Sequence, residues 1–261
     1  MINNKNYICY IIKNIIMIPK NHPRYESLLL RQKVKDAFLD GYLADSGMIA
    51  HGRGETFDYL IGEKTVPAAE NAIRAAVASI LLADHPVLSV NGNTTALAID
   101  EVIELANITD SNIEINLFYR TEERVDKITK LFKEHGYEDI LGTNYDDLYY
   151  FDKIKNPRAT ASKKGIYIAD VILVPLEDGD RAELLKEADK KIICIDLNPL
   201  SRTSKMSDIS IVDNVVRAIP LMSKIAKEYK NKDEEFLRKI IEEYDNEKNL
   251  NNSLNSMKIK A

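Results

Sequence analysis

The stretch Val87-Leu88-Ser89-Val90-Asn91-Gly92-Asn93-Thr94-Thr95-Ala96-Leu97 sets a near-continuous apolar run against a polar turn and then against helix-forming residues. Val87 to Val90 reads as a buried strand, Asn91-Gly92-Asn93 as a turn and Thr94 to Ala106 as a helix. The alternation repeats downstream. Strands are expected at Ile113 to Tyr119, Ala169 to Leu176, Lys191 to Asp196 and Ile209 to Val212, with helices at Thr121 to His135, Arg181 to Ala188 and Val215 to Tyr229. Strands built almost entirely of Val, Ile and Leu are buried on both faces. The predicted fold is therefore α/β: a Rossmann-like, doubly wound, mostly parallel sheet with helices on both faces.

Upstream lies an N-terminal helical segment. Leu28, Leu29, Leu30, Val34, Ala37 and Phe38 recur at helical spacing between His22 and Leu43. A glycine-rich turn is expected at Ala50-His51-Gly52-Arg53-Gly54-Glu55, and Pro67 opens an alanine-rich helix running to Ala83. Residues 137–165, rich in Asp, Tyr and Asn, read as an irregular insertion, either a lid or a surface loop. Glu234 to Tyr244 is a charged helix, and residues 246–261 read as a polar mobile tail. Residues 17–245 then form a single α/β domain. Residues 1–16 read as a misassigned leader, because Met17 stands directly before Ile18-Pro19-Lys20 and the apolar run before it is too short and broken to span a membrane.

Composition narrows the function. With 261 residues, 36 Lys+Arg and 41 Asp+Glu, the chain carries a net charge of −5, which excludes a nucleic-acid protein relying on a broad basic face. Any phosphate ligand must be held locally. The two cysteines, Cys9 and Cys194, cannot build a disulfide framework or a cysteine-rich metal site, and a reducing cytoplasm is expected. The histidines lack metal-ligand spacing.

Ligands of open parallel sheets sit beyond the carboxyl ends of the strands. The Asn91-Gly92-Asn93-Thr94 turn could receive an anion at a helix N-terminus, or be a plain cap. Glu177, Asp178 and Asp180 could share Mg²⁺ with phosphates and water, or cap the following helix. Arg53, between two glycines, is a phosphate-clamp candidate or a solvated surface arginine. Asp196 and Asn198 at a strand end could read ribose or adenine, and Arg202 could pair with phosphate oxygens, or the segment is an ordinary polar loop. The glycine fingerprint of nicotinamide-dependent oxidoreductases is missing.

Several long motifs carry a resemblance: Ile18-Pro19-Lys20-Asn21-His22-Pro23-Arg24-Tyr25, Gly47-Met48-Ile49-Ala50-His51-Gly52-Arg53-Gly54-Glu55, Phe57-Asp58-Tyr59-Leu60-Ile61-Gly62-Glu63, Ile115-Asn116-Leu117-Phe118-Tyr119-Arg120, Val174-Pro175-Leu176-Glu177-Asp178-Gly179-Asp180-Arg181 and Ile195-Asp196-Leu197-Asn198-Pro199-Leu200-Ser201-Arg202. From about Met17 to Leu250 the chain resembles the archaeal 4-phosphopantoate:β-alanine ligases, the phosphopantothenate synthetases. The resemblance implies ATP-driven condensation of 4-phosphopantoate with β-alanine through an acyl-adenylate, Mg²⁺ assistance and a homodimer, with no nucleic acid or membrane partner. It places ATP contacts at Arg31, Arg53, Asp196, Leu197, Asn198, Arg202, Thr203, Asn214 and Val215. It leaves the metal ligands unassigned and the base for the amine open among His51, Glu55, Asp58 and Asp180, unless β-alanine enters already neutral. Arg120 and Lys20 are spare cations. A non-catalytic ATP-binding sensor dimer is the alternative reading.

Overall fold

The computed structural model describes residues 18–144, 147–151 and 160–257. The expected leader lies outside the described residues. Five strands, β1 (Pro86–Val90), β2 (Asn112–Ile115), β5 (Val171–Pro175), β6 (Lys191–Ile195) and β7 (Ile209–Ile211), form one sheet in the order β2-β1-β5-β6-β7. Every pairing in it is parallel. Strand order reverses between β1 and β5, which makes their carboxyl ends the topological switch point. A separate antiparallel hairpin, β3 (Leu148–Tyr150) with β4 (Thr160–Ser162), occupies the segment read as an irregular insertion.

Because side chains alternate along a strand, the sheet feeds two cores. Leu88, Val90, Leu173, Ile193 and Ile195 point into the larger one, against α3 (Pro67–Leu81), α4 (Gly92–Thr109) and α8 (Val215–Tyr229). Val87, Ile172, Val174, Ile192 and Cys194 point the other way, onto Ala182 and Leu185 of α6 (Gly179–Glu187) and onto Phe151 and Ile166. Helix α3 is buried nearly all round, with alanines letting it lie between the sheet and the helices α8, α9 (Glu234–Glu242) and α10 (Asn246–Ser256). Helix α5 (Glu122–Glu134) starts at a Thr121 cap that accepts the Arg124 N–H and buries Val125, Ile128 and Phe132.

Four sequence expectations change. Residues 50–55 are not a turn but the middle of helix α2 (Asp45–Ile61), which follows α1 (Tyr25–Leu39). Two helix-interior glycines cost up to about 1 kcal/mol each relative to alanine, and tertiary packing of α2 on α1 and α4 overrides that preference. Second, residues 246–256 are not a mobile tail. Asp245 caps α10 by accepting the Lys248 N–H, and Asn249, Leu250 and Ser253 are buried. The polar residues that suggest a tail are used inside the fold: Asn246 accepts the Ser210 N–H of edge strand β7 at 2.9 Å and donates to the Ser207 carbonyl at 2.9 Å. Third, the loop expected through residues 198–207 contains the short helix α7 (Arg202–Met206), capped by Ser201. The expected strand Ile113 to Tyr119 also ends early, at Ile115, although the Asn116 N–H still reaches the Val90 carbonyl at 2.8 Å.

Candidate active site

A cavity of about 360 Å³ opens at the switch point, walled by α2, the start of α4 and the segments following β5, β6 and β7. It collects Arg53, Asp196, Leu197, Asn198, Arg202, Thr203, Asn214 and Val215, eight of the nine residues expected to contact ATP. The ninth, Arg31, stands behind the wall on α1 and pairs with the wall residue Glu55, Nη2 to Oε2, at 3.0 Å. None of the described residues of segment 137–165 lines the cavity, so the lid expectation has no support in the described part of that insertion.

The loop after β6 is rigidified by its own polar groups. Asp196 accepts the Asn198 N–H at 2.9 Å and the Ser201 hydroxyl at 2.6 Å. Burial pushes the Asp196 carboxyl up, while Ser201, the Asn198 amide and the Arg53 charge pull it back. The Asn198 side-chain oxygen accepts the Leu200 N–H at 2.9 Å. Thr203 ties α7 to the neighbouring strand end by donating to the Glu177 carbonyl at 2.9 Å. Arg202 is 60% exposed and bridges to α6 through Asp180 at 2.6 Å and Glu183 at 2.5 Å. The close approach of α7 to α6 needs Gly179, where an added Cβ would stand 2.5 Å from the Arg202 Cβ.

At the opposite wall, β7 delivers Asp213, Asn214 and Val215 to the start of α8. Asn214 caps that helix by accepting the Val216 N–H, and its amide donates to Asp58 at 2.7 Å. Arg217, one turn on, pairs with Asp58 at 2.5 Å and Asp213 at 2.6 Å. Asp213 also accepts the Thr65 hydroxyl at 2.6 Å. This network pins α2 to the loop that presents Asn214 and Val215. Arg217 and Thr65 escape sequence reading because their partners lie far away in the chain; the spacing of Asp213 and Arg217, one helical turn apart, was the only local sign.

The turn after β1 is a helix cap beside the cavity, with Asn93 on the wall. Asn91 accepts the Thr94 N–H at 3.0 Å, and Gly92 sits so close to the preceding chain that a Cβ there would meet the Tyr42 carbonyl at 2.9 Å. Asp178 likewise caps α6 through the Arg181 N–H at 3.0 Å. No three His, Cys, Asp or Glu side chains converge into a metal cage among the described residues. Helix α2 contributes His51, whose imidazole pKa is lowered by burial, with Glu55 opposing, Arg31 reinforcing and Asp58 opposing the shift.

The cavity of this α/β protein lies at the carboxyl edge of a parallel sheet, where open sheets of this kind bind their ligands, and Arg53 and Arg202 stand on its wall. Comparison with known proteins makes this specific. The family model for phosphopantothenate/pantothenate synthetase matches residues 68–260. A protein of Thermococcus kodakarensis named 4-phosphopantoate--beta-alanine ligase is 52% identical over 241 residues, covering 92% of each chain. Proteins of the same name from Methanosarcina mazei and Methanospirillum hungatei are 52% and 46% identical, covering 92% and 81% of this chain and 94% and 86% of their own. The chain belongs to the phosphopantothenate/pantothenate synthetase family.

Proposed function

We propose that this chain is an ATP-dependent, AMP-forming ligase that condenses 4-phosphopantoate with β-alanine to 4′-phosphopantothenate, a step of archaeal coenzyme A biosynthesis. The observation that carries the reading is the convergence of Arg53 of α2 with seven residues between positions 196 and 215 on one cavity, in a chain about half identical to proteins bearing that ligase name over nearly its whole length.

In this reaction the phosphopantoate carboxylate attacks the α-phosphorus of ATP and diphosphate leaves; the β-alanine amine then attacks the acyl carbon and AMP leaves. Positioning and charge neutralisation supply most of the acceleration. Arg53 and Arg202, with Arg31 behind them, serve the phosphate oxygens, as guanidiniums do best. Asp196 and Asn198, with Leu197, hold the nucleoside end, and Thr203, Asn214 and Val215 complete the wall. Mg²⁺ accompanies the nucleotide. The residues fit such an ion: Mg²⁺ takes one or two carboxylates and keeps phosphate and water for the rest, and Glu177 and Asp178 are carboxylates on the cavity wall. Bound there, it would neutralise phosphate charge. The working unit is a homodimer in the cytoplasm. Among the described residues no helix is long and apolar enough to cross a membrane.

The test is AMP and diphosphate formation with ATP, Mg²⁺ and 4-phosphopantoate, with and without β-alanine and with pantoate as the unphosphorylated control. AMP release that requires both the phosphorylated acid and β-alanine is the expected result. Binding of ATP without such turnover would instead make the chain a sensor.

A further inference from the structure

Four residues on or near the cavity wall could deal with the amine of the second substrate, and the structure separates them. Asp58 is taken by Arg217 and Asn214. Asp180 is paired with Arg202 at the surface. His51 and Glu55 differ from both. They sit one turn apart on α2, facing the same side, and both line the cavity. Nε2 of His51 and Oε1 of Glu55 are each buried and have no hydrogen-bond partner among the described residues. Such orphans cost about 1–3 kcal/mol and call for an explanation. The other oxygen of Glu55 already accepts from Arg31 at 3.0 Å, so one carboxylate oxygen is engaged and the other keeps its lone pairs for a further donor.

We propose that His51 and Glu55 form the subsite that receives the amino group of β-alanine, an inference that rests on the ligase reading above. An alkylammonium carries three N–H donors; a neutral imidazole nitrogen and a carboxylate oxygen are acceptors of the matching kind. Burial, with Arg31 nearby, lowers the His51 pKa, while Glu55 and Asp58 raise it; the net lowering keeps the ring neutral and able to accept. Bound as ammonium, the substrate gives one proton to Nε2 of His51, which passes it to solvent. The exposed lone pair forms the C–N bond with the acyl carbon of the adenylate, and the acyl C–O bond breaks with its electron pair leaving on AMP. The second proton departs from nitrogen through the same ring.

The experiment uses Glu55→Gln and His51→Phe in the full chain. Exchange of labelled diphosphate into ATP, dependent on 4-phosphopantoate, reports the adenylate step; KM for β-alanine reports the subsite. The KM for β-alanine should rise by about tenfold or more, well beyond any loss of exchange. Hydroxylamine, whose nitrogen is already neutral at neutral pH, should still be acylated to the hydroxamate, which also shows the variants to be folded. A KM for β-alanine that rises no more than exchange falls overturns the subsite. Absence of exchange in the unsubstituted chain overturns the ligase reading instead. Where His51→Phe does not fold, His51→Gln assigns the His51 ring resonance by its disappearance. That resonance should shift when β-alanine is added to the unsubstituted chain holding a non-hydrolysable ATP analogue and 4-phosphopantoate, and no shift overturns the proposal.

Discussion

The guanidinium of Arg217 lies 2.5 Å from Asp58, joining the first turn of α8 to the last turns of α2, although 159 positions separate the two residues. The pair shares its arginine with the fully buried Asp213, so three charges balance unevenly, and Asn214 and Thr65 supply the remaining hydrogen bonds. Arg217→Met leaves two buried carboxylates without their cation. The expected loss is about 3 kcal/mol of stability, read as a lower urea midpoint with an unchanged denaturant slope.

Arg202 is held by Asp180 and Glu183, the same charge type as the phosphates it is assigned to. Ligand and carboxylates therefore compete for one guanidinium. Arg202→Ala should raise the KM for ATP by about tenfold while leaving the melting temperature close to that of the unsubstituted chain, since an exposed pair contributes little. Asp180→Asn combined with Glu183→Gln should move the KM for ATP the other way. An unchanged KM for ATP in Arg202→Ala would take Arg202 out of the nucleotide site, and a rise in the double variant would show that the two carboxylates do not compete with the ligand.

The Asp196 carboxyl is pushed above its ordinary 3.8 by burial. The folded chain then binds this proton more readily than the unfolded one, so the group's contribution to stability is lost as pH rises from 3.8 through the raised folded value. Asp196→Asn removes that dependence. Melting temperatures of the two proteins, followed from about pH 4 to pH 7, should show the variant gaining on the original chain as pH rises.

Asn246 satisfies Ser210 and the Ser207 carbonyl at once. Asn246→Ala should cost about 1–3 kcal/mol, the penalty for partly orphaned backbone groups, measured by urea unfolding. It should also speed amide exchange at Ser210 more than at Ile193 in the middle of the sheet.

The sheet was legible because its strands are runs of Val, Ile and Leu that have no other home; Lys191 to Asp196 differs from β6 by one residue, and the helix expected at Val215 to Tyr229 matches α8 end for end. The strand-end rule puts Asp196, Asn198 and Arg202 on one surface from the sequence alone, and the cavity gathers them. What failed were local signals overruled by distant packing. Gly52 and Gly54 suggested a turn, yet α2 runs through them. Asn246 and Asn249 suggested a tail, yet one completes a strand edge and the other is buried. The isolation of His51 Nε2 and Glu55 Oε1 was invisible, because an unmet hydrogen bond is a property of everything around an atom and not of its neighbours in the chain.

Both outer margins of the sheet are occupied from within. Beside β2, Leu141 exchanges hydrogen bonds with Ile113 and Ile115; beside β7, Asn246 takes the outward Ser210 N–H. A second copy of the chain therefore finds no open ladder to continue, and two protomers cannot fuse their sheets into one ten-stranded blade. The homodimer proposed above would therefore pair through helices and loops, and its contact would cross no backbone ladder.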